Sequence, residues 1–258
     1  MKTLVAANGA GFSNRVKNIV SSMRMSDDVE VLWKSSLFPA HNIRQTNLSD
    51  YFVNLKETTT TEGKLVRNNW RYEVFDTDKI PEGFSTKLEA KARQQLGPIK
   101  PTEHPKGWNI DWAYEDTPEY VKGEYLKQYK KLEINPNILQ AVDDFGSSDY
   151  VSVHIRRWES GCSRRKFYSF DKYVDLMSQY DSKFFVATDT PSIIADLENV
   201  FGKDRILSRK TTDKATDLFV EQLLLSRGNV IIGTPWSSFT EVAWWFSDCK
   251  SEIKLAWI

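Results

Sequence analysis

Cysteine is scarce in this chain. The two present, Cys162 and Cys249, are too few for a disulfide framework, and with only three histidines they form no zinc-binding spacing, so a reducing compartment is expected. Net charge is absent as well. Lys plus Arg and Asp plus Glu number 35 each, which argues against a nucleic-acid partner and means that any basic site must be local. Long apolar runs are also missing: nothing approaches about 18 consecutive apolar residues, and the run before Asn8 is too short for a signal peptide. A soluble, cytoplasmic protein without a transmembrane segment is therefore expected. The chain has no Gly-x-Ser-x-Gly nucleophile elbow and no phosphate loop ending in Gly-Lys-Ser/Thr. His41 and His104 stand apart from His154, so a histidine-bound metal is not expected.

Aromatic residues are abundant. Nine Trp, fourteen Phe and ten Tyr suit both a core and sugar platforms, and their number alone favours the core. A length of 258 residues is enough for two lobes, each with its own core.

Read in order, Thr3 to Ala7 is a first strand that runs through Asn8-Gly-Ala-Gly-Phe-Ser-Asn14 into a helix from Arg15 to about Met25. Glycines in such a turn allow close approach to a ligand, and also serve the turn alone. Val29 to Trp33 reads as a strand, Leu48 to Leu55 as a short capped helix, and Lys56 to Glu62 as an exposed polar loop. Leu65, Trp70, Tyr72, Val74 and Phe75 are strand candidates. The section from Asp76 to Pro118 is punctuated by prolines and reads as an irregular insert, with helix over Thr86 to Leu96. Val121, Tyr125, Tyr129 and Leu132 predict an amphipathic helix stopped by Asn135-Pro136, and a second helix spans Asn137 to Phe145. The polar break Gly146-Ser-Ser-Asp149 is the expected boundary between a lobe of residues 1–146 and a lobe of residues 147–258.

Beyond that break the pattern is regular. Strands at 150–155, 183–188, 205–207, 229–233 and 252–257 alternate with helices from Ser169, at 191–201, 215–226 and 238–246. This alternation predicts βαβ units and a parallel sheet. Ligands of such sheets collect outside the carboxyl ends of the strands, where this chain is polar. Arg156, Arg157 and Glu159 follow the first of these strands, Thr188 and Asp189 end the second, and Thr234, Ser237 and Ser238 follow the fourth. Two forked guanidinium groups, serine hydroxyls and the amides of Ser238 and Phe239 suit a pyrophosphate without a metal. Ser237 and Ser238 equally fit plain helix caps. His154 lies two residues before Arg156 and so faces the same side, as a core histidine or as part of the site. Asp217 and Glu221, four apart on one helix, offer carboxylates that could accept the N–H groups of a guanine edge, or could be solvated.

Val153-His-Ile-Arg-Arg157 resembles the His-x-Arg-Arg motif of the fucosyltransferase superfamily, which includes nodulation and α1,6-fucosyltransferases and, more distantly, α1,2- and protein O-fucosyltransferases. Phe184-Phe-Val-Ala-Thr-Asp189 and the stretch from Glu221 to Ser226 and on to Trp236-Ser-Ser-Phe239 resemble its second and third blocks, and Gly11-Phe-Ser-Asn14-Arg15 is similar to its opening glycine-Asn loop. The resemblance implies an α/β, GT-B-like fold of two Rossmann-like lobes with parallel sheets and a cleft between them. It also implies inverting, metal-independent transfer of fucose from GDP-fucose to a carbohydrate or other hydroxyl acceptor. The first lobe would be the acceptor side. By that likeness Arg156 would bind the diphosphate and stabilise its charge as it leaves, with Arg157 and Ser238 assisting, His154 would help to place the donor, and Glu221 would read guanine; Asn14, Asp189, Asp217, Ser237 and Phe239 are further candidate donor-binding residues.

Two departures stand out. Trp158-Glu159 replaces the Thr-Asp or Gly-Asp common after the arginines, and Ser163-Arg-Arg-Lys166 is basic where α1,6 enzymes carry a carboxylate. Glu159 is accordingly the expected general base, as a carboxylate beside the diphosphate-binding arginines. The competing readings are a GT-B transferase with another nucleotide sugar and a non-catalytic nucleotide- or carbohydrate-binding module.

Overall fold

A computed structural model describes residues 3–6, 11–33, 46–59, 64–66, 73–74, 107–108, 119–147, 149–157, 165, 168–209, 215–235 and 237–256. Short segments form the first sheet, in which β1 (Leu4–Ala6) lies between β2 (Val29–Val31) and β4 (Lys64–Val66), each with at least one valine. β3 (Lys56–Glu57) flanks β2, so the order is β3-β2-β1-β4 with every pair parallel. The expected loop at Lys56 to Glu62 thus begins as an edge strand, its Lys56 ion-paired with Glu30 of β2. Polar residues suit an edge, which is why composition alone reads as loop.

The helix after β1, α1 (Phe12–Met25), begins ahead of the expected Arg15. Gly11 takes the N-cap position in extended conformation, so Asn14 lies in the first helical turn and not in the preceding loop. Polar residues of α1 are buried with the apolar ones, among them Ser13, Arg15, Lys17, Asn18, Ser21 and Ser22. A helix enclosed on so many sides must find partners for its polar groups inside the protein. Lys17 Nζ meets Glu241 Oε2 at 2.6 Å, Ser22 Oγ donates to the Asn18 carbonyl at 2.8 Å, and Arg15 donates to the Trp33 carbonyl.

The expected helix at Leu48 to Leu55 is a single 3-10 turn over Leu48–Asp50, whose Asp50 carboxylate accepts the Asn47 N–H at 2.8 Å. It stops there because Phe52 forms an antiparallel bridge with Ile134 and the Val53 N–H is taken by the Glu133 carbonyl. β5 (Glu73–Val74) and β6 (Gly107–Trp108) form a small antiparallel pair. Trp70, Tyr72, Phe75 and the helix expected at Thr86 to Leu96 fall outside the described residues. α2 (Glu119–Tyr129) ends before Asn135-Pro136, which instead opens α3 (Pro136–Asp143): the Asn135 side chain accepts the Asn137 N–H at 3.0 Å, and proline is tolerated at a first helical position.

The second sheet contains β7 (Val151–Ile155), β8 (Phe184–Thr188), β9 (Ile206–Leu207), β10 (Val230–Gly233) and β11 (Glu252–Leu255), all parallel, in the order β11-β10-β7-β8-β9. Counted from β7 this is the Rossmann order 3-2-1-4-5. The intervening helices are α4 (Phe170–Met177), α5 (Ser192–Phe201), α6 (Asp217–Leu225) and α7 (Ser238–Phe246). Strand alternation assigns the two faces. Val151, Val153, Ile155, Phe184, Val186 and Ile232 pack with α4 and α5, whereas Phe185, Ala187 and Ile231 pack with α6 and α7.

The core on the α6 and α7 face continues without a break to the first sheet. It contains Ala6, Val31, Phe12, Phe219, Trp244 and Trp245, with Phe12 and Phe219 rings 4.8 Å apart and Tyr129 stacked on Trp245 at 5.5 Å. Much of the aromatic surplus is spent here. No helix among the described residues is long and apolar enough to cross a membrane.

Candidate functional site

β7 and β10 are adjacent, yet the helices that follow them cover opposite faces of the sheet. Their carboxyl ends are therefore the topological switch point of the sheet, the place where open α/β sheets bind ligands. Arg156 and Arg157 leave β7 at that point, and Thr234, Ser237 and α7 leave β10.

The side chain of His154, on the face opposite Val153 and Ile155, reaches α7. Its Nδ1 lies 2.8 Å from Thr240 Oγ1, and its ring centroid lies 4.9 Å from that of Phe239. Burial, and secondarily the Arg156 cation, pushes its pKa down to about 3. It is a neutral imidazole at physiological pH. The core and site readings of this histidine are thus compatible, since it is enclosed and still sets the wall next to Arg156.

Asp189, at the end of β8, holds both arginines. Its Oδ1 accepts the Arg157 backbone N–H at 3.1 Å and the Thr190 hydroxyl at 3.2 Å, and its Oδ2 lies 3.8 Å from Arg156 Nε. With side chains 39 % and 37 % exposed, the Arg156–Asp189 pair contributes little stability; its effect is on direction. The Arg157 guanidinium lies 6.0 Å from the Tyr168 ring centroid.

Ser237 is the N-cap residue of α7, extended and buried, and its side chain makes no capping bond. The amides of a helix's first turn lack intrahelical partners, so Ser238 and Phe239 present N–H groups at the switch point. On α6, Asp217 and Glu221 are both buried, one turn apart as their spacing predicts. Arg209 Nη1 binds Asp217 Oδ1 at 2.5 Å. Burial raises the Glu221 pKa to about 7, with Arg209 pulling it down and Asp217 pushing it up.

Gln222 joins three helices, its Nε2 donating to Ser13 Oγ and to the Phe239 carbonyl at 2.9 Å each. This brings the segment that carries Asn14 beside the start of α7. Sequence reasoning missed Gln222, Tyr173, Thr240 and Arg209. Arg209 was within reach, because the rule applied to the ends of β7, β8 and β10 finds it just beyond β9. Among the described residues no group of three or more His, Cys, Asp or Glu is placed to hold a metal ion.

No protein-family model matches the sequence, and no curated protein sequence does. Solved structures do match in shape. The crystal structure of NodZ alpha-1,6-fucosyltransferase soaked with GDP-fucose superimposes with a TM-score of 0.54 at 12% identity, covering 95% of this chain and 92% of that one. The fucosyltransferase NodZ from Bradyrhizobium gives a TM-score of 0.53 at 12% identity over 94% of this chain and 91% of that chain. POFUT1 in complex with GDP gives 0.53 at 13% identity over 100% and 99%. The chain has a fucosyltransferase-like fold. Its architecture is GT-B-like, with the two parallel sheets described above.

On this fucosyltransferase-like frame four of the expected residues, Asp189, Arg156, His154 and Phe239, join one bonded group with others. Asp189, Arg156, Thr234, His154, Thr240, Phe239 and Gln222 are linked contact by contact or along the chain. Asp217 and Glu221 lie on the same helix as Gln222. Glu159 and Trp158 lie outside the described residues.

Proposed function

We propose that this protein is a glycosyltransferase that moves fucose from GDP-fucose to a hydroxyl of a glycan or another acceptor, by inverting, metal-independent displacement. The observation that carries this reading is the delivery of Arg156 and Arg157 to the switch point of a Rossmann-ordered sheet, beside the first turn of α7. The acceptor oxygen attacks the anomeric carbon, the bond from that carbon to the diphosphate oxygen breaks, and Glu159 takes the acceptor's proton. Charge then grows on the leaving diphosphate, where Arg156, Arg157, the Ser237 and Ser238 hydroxyls and the α7 amides meet it.

Because Asp217 is engaged by Arg209, Glu221 is the carboxylate left to accept the N–H groups of guanine. In this reading residues 147–258 bind the donor, residues 1–146 form the acceptor side, and Asn14 approaches the donor from the first turn of α1.

A thermal-shift panel of GDP, GTP, ADP and UDP tests the donor. GDP at one hundred times its Kd should stabilise the protein by about 2.7 kcal/mol, and Arg156→Ala should abolish the shift. In a coupled assay of GDP release from GDP-fucose with an acceptor, Arg156→Ala should lose about a hundredfold to a thousandfold in rate with its fold intact. Turnover near that of the wild type would overturn the reading. Stabilisation by UDP or ADP alone would keep a transferase and discard the guanine assignment.

A further inference from the structure

Thr234 stands where a ligand contact is expected, yet its hydroxyl is fully committed to the protein. Its one proton goes to the His154 carbonyl at 3.0 Å. Its lone pairs receive the Arg156 backbone N–H at 2.8 Å and the Tyr173 hydroxyl at 2.7 Å. Tyr173 must be the donor in the last contact, because the only Thr234 proton is already used. Burial also pushes the Tyr173 pKa up, which keeps that proton in place.

The reason for this arrangement lies in the ladder between β7 and β10. Their register pairs Ile231 with Ser152 and Ile232 with Val153 and goes no further. The His154 carbonyl and the Arg156 amide are the next polar groups on that edge of β7. Thr234 meets both with one side-chain oxygen, so a hydroxyl joins the two strands beyond the point where their backbone pairing ends. Tyr173, buried on α4, braces that oxygen from the other face of the sheet.

We infer that Thr234 and Tyr173 are positioning residues that fix the backbone carrying Arg156, and with it the direction in which its guanidinium meets the donor's diphosphate. The inference rests on the reading of Arg156 as a diphosphate ligand. Neither hydroxyl touches substrate.

Calorimetric titration with GDP and GMP separates this role from a general structural one. Thr234→Val keeps the shape and removes all three bonds. It should lower GDP affinity about tenfold and GMP affinity far less, so that the GDP-to-GMP preference collapses. Thr234→Ser, which restores the hydroxyl, should recover the preference. A folded valine variant with the wild-type preference, or a serine variant as impaired as valine, overturns the inference. If the valine variant does not fold, Tyr173→Phe decides by the same ratio: a preference at least halved supports the role, and an unchanged one overturns it. Wild-type protein that binds neither nucleotide removes the functional reading together with the inference, whereas wild-type binding with an unmoved ratio removes the inference alone.

Discussion

Glu221 is a carboxyl whose charge is disfavoured by its surroundings and required by its proposed task. Its folded pKa of about 7 lies above the ordinary value of 4.5 because burial outweighs the pull of Arg209. The stabilisation that comes from holding the proton is complete below pH about 4.5 and is lost as pH rises through about 7. Glu221→Gln, neutral at every pH, should therefore be more stable than the wild type at pH 8 by about 1–3 kcal/mol, with little difference at pH 4.5. Thermal unfolding at the two pH values measures this, and equal behaviour of both proteins at pH 8 would contradict a raised pKa. The same variant should lose selectivity for GDP over ADP, since an amide cannot accept two N–H groups as a carboxylate does. In the wild type, GDP affinity should fall about tenfold per pH unit below the Glu221 pKa, because the proton and guanine compete for one carboxylate.

The turn from β10 into α7 is the element on which the site depends, and its tight point is Gly233. A Cβ built there would lie 2.3 Å from Thr240 Cγ2, closer than real contacts allow, and Thr240 is the partner of His154. Gly233→Ala should push Thr240 aside, cost about 1–3 kcal/mol in a urea titration, and weaken GDP binding through the displaced wall of the site; unchanged stability and binding would show that α7 shifts freely. Much of this half of the fold was legible in the sequence. The helix at 238–246 was found to the residue and the strands of the second sheet to within about two residues, because βαβ alternation writes a strong local period. The failures at Lys56–Glu57 and Leu48–Asp50 share a cause: their conformations are set by Glu30 and by Ile134, partners that no local pattern reveals. The site divides in the same way. Arg156 and Asp189 follow from the rule of strand ends, whereas the use of Thr234 inside the protein requires knowing that β10, and not β8, lies on that side of β7.

At the scale of the molecule, the two sheets are joined by a continuous core and by a buried ion pair. Lys17 on α1 and Glu241 on α7 meet at 2.6 Å with almost no exposure, and Trp245 Nε1 donates to the other Glu241 oxygen at 3.3 Å. Removing one partner of such a pair leaves an uncompensated charge, so Lys17→Met should cost about 3–5 kcal/mol in urea denaturation. Adding Glu241→Gln, which keeps an acceptor for Trp245, should restore most of that loss. A single variant within about 1 kcal/mol of the wild type would show that the pair is not structural. The same pair sets a timetable for synthesis. Its members are separated by 224 positions, which at about 5–20 residues per second is a delay of roughly ten to forty-five seconds on the ribosome. Throughout that interval α1 has its lysine but not its counter-charge, and β1 and β2 can pair without the aromatic half of their core. The nascent segment that carries α1 is therefore the stage at which chaperones would have the most to hold, and α7, when it emerges, completes the surroundings of α1.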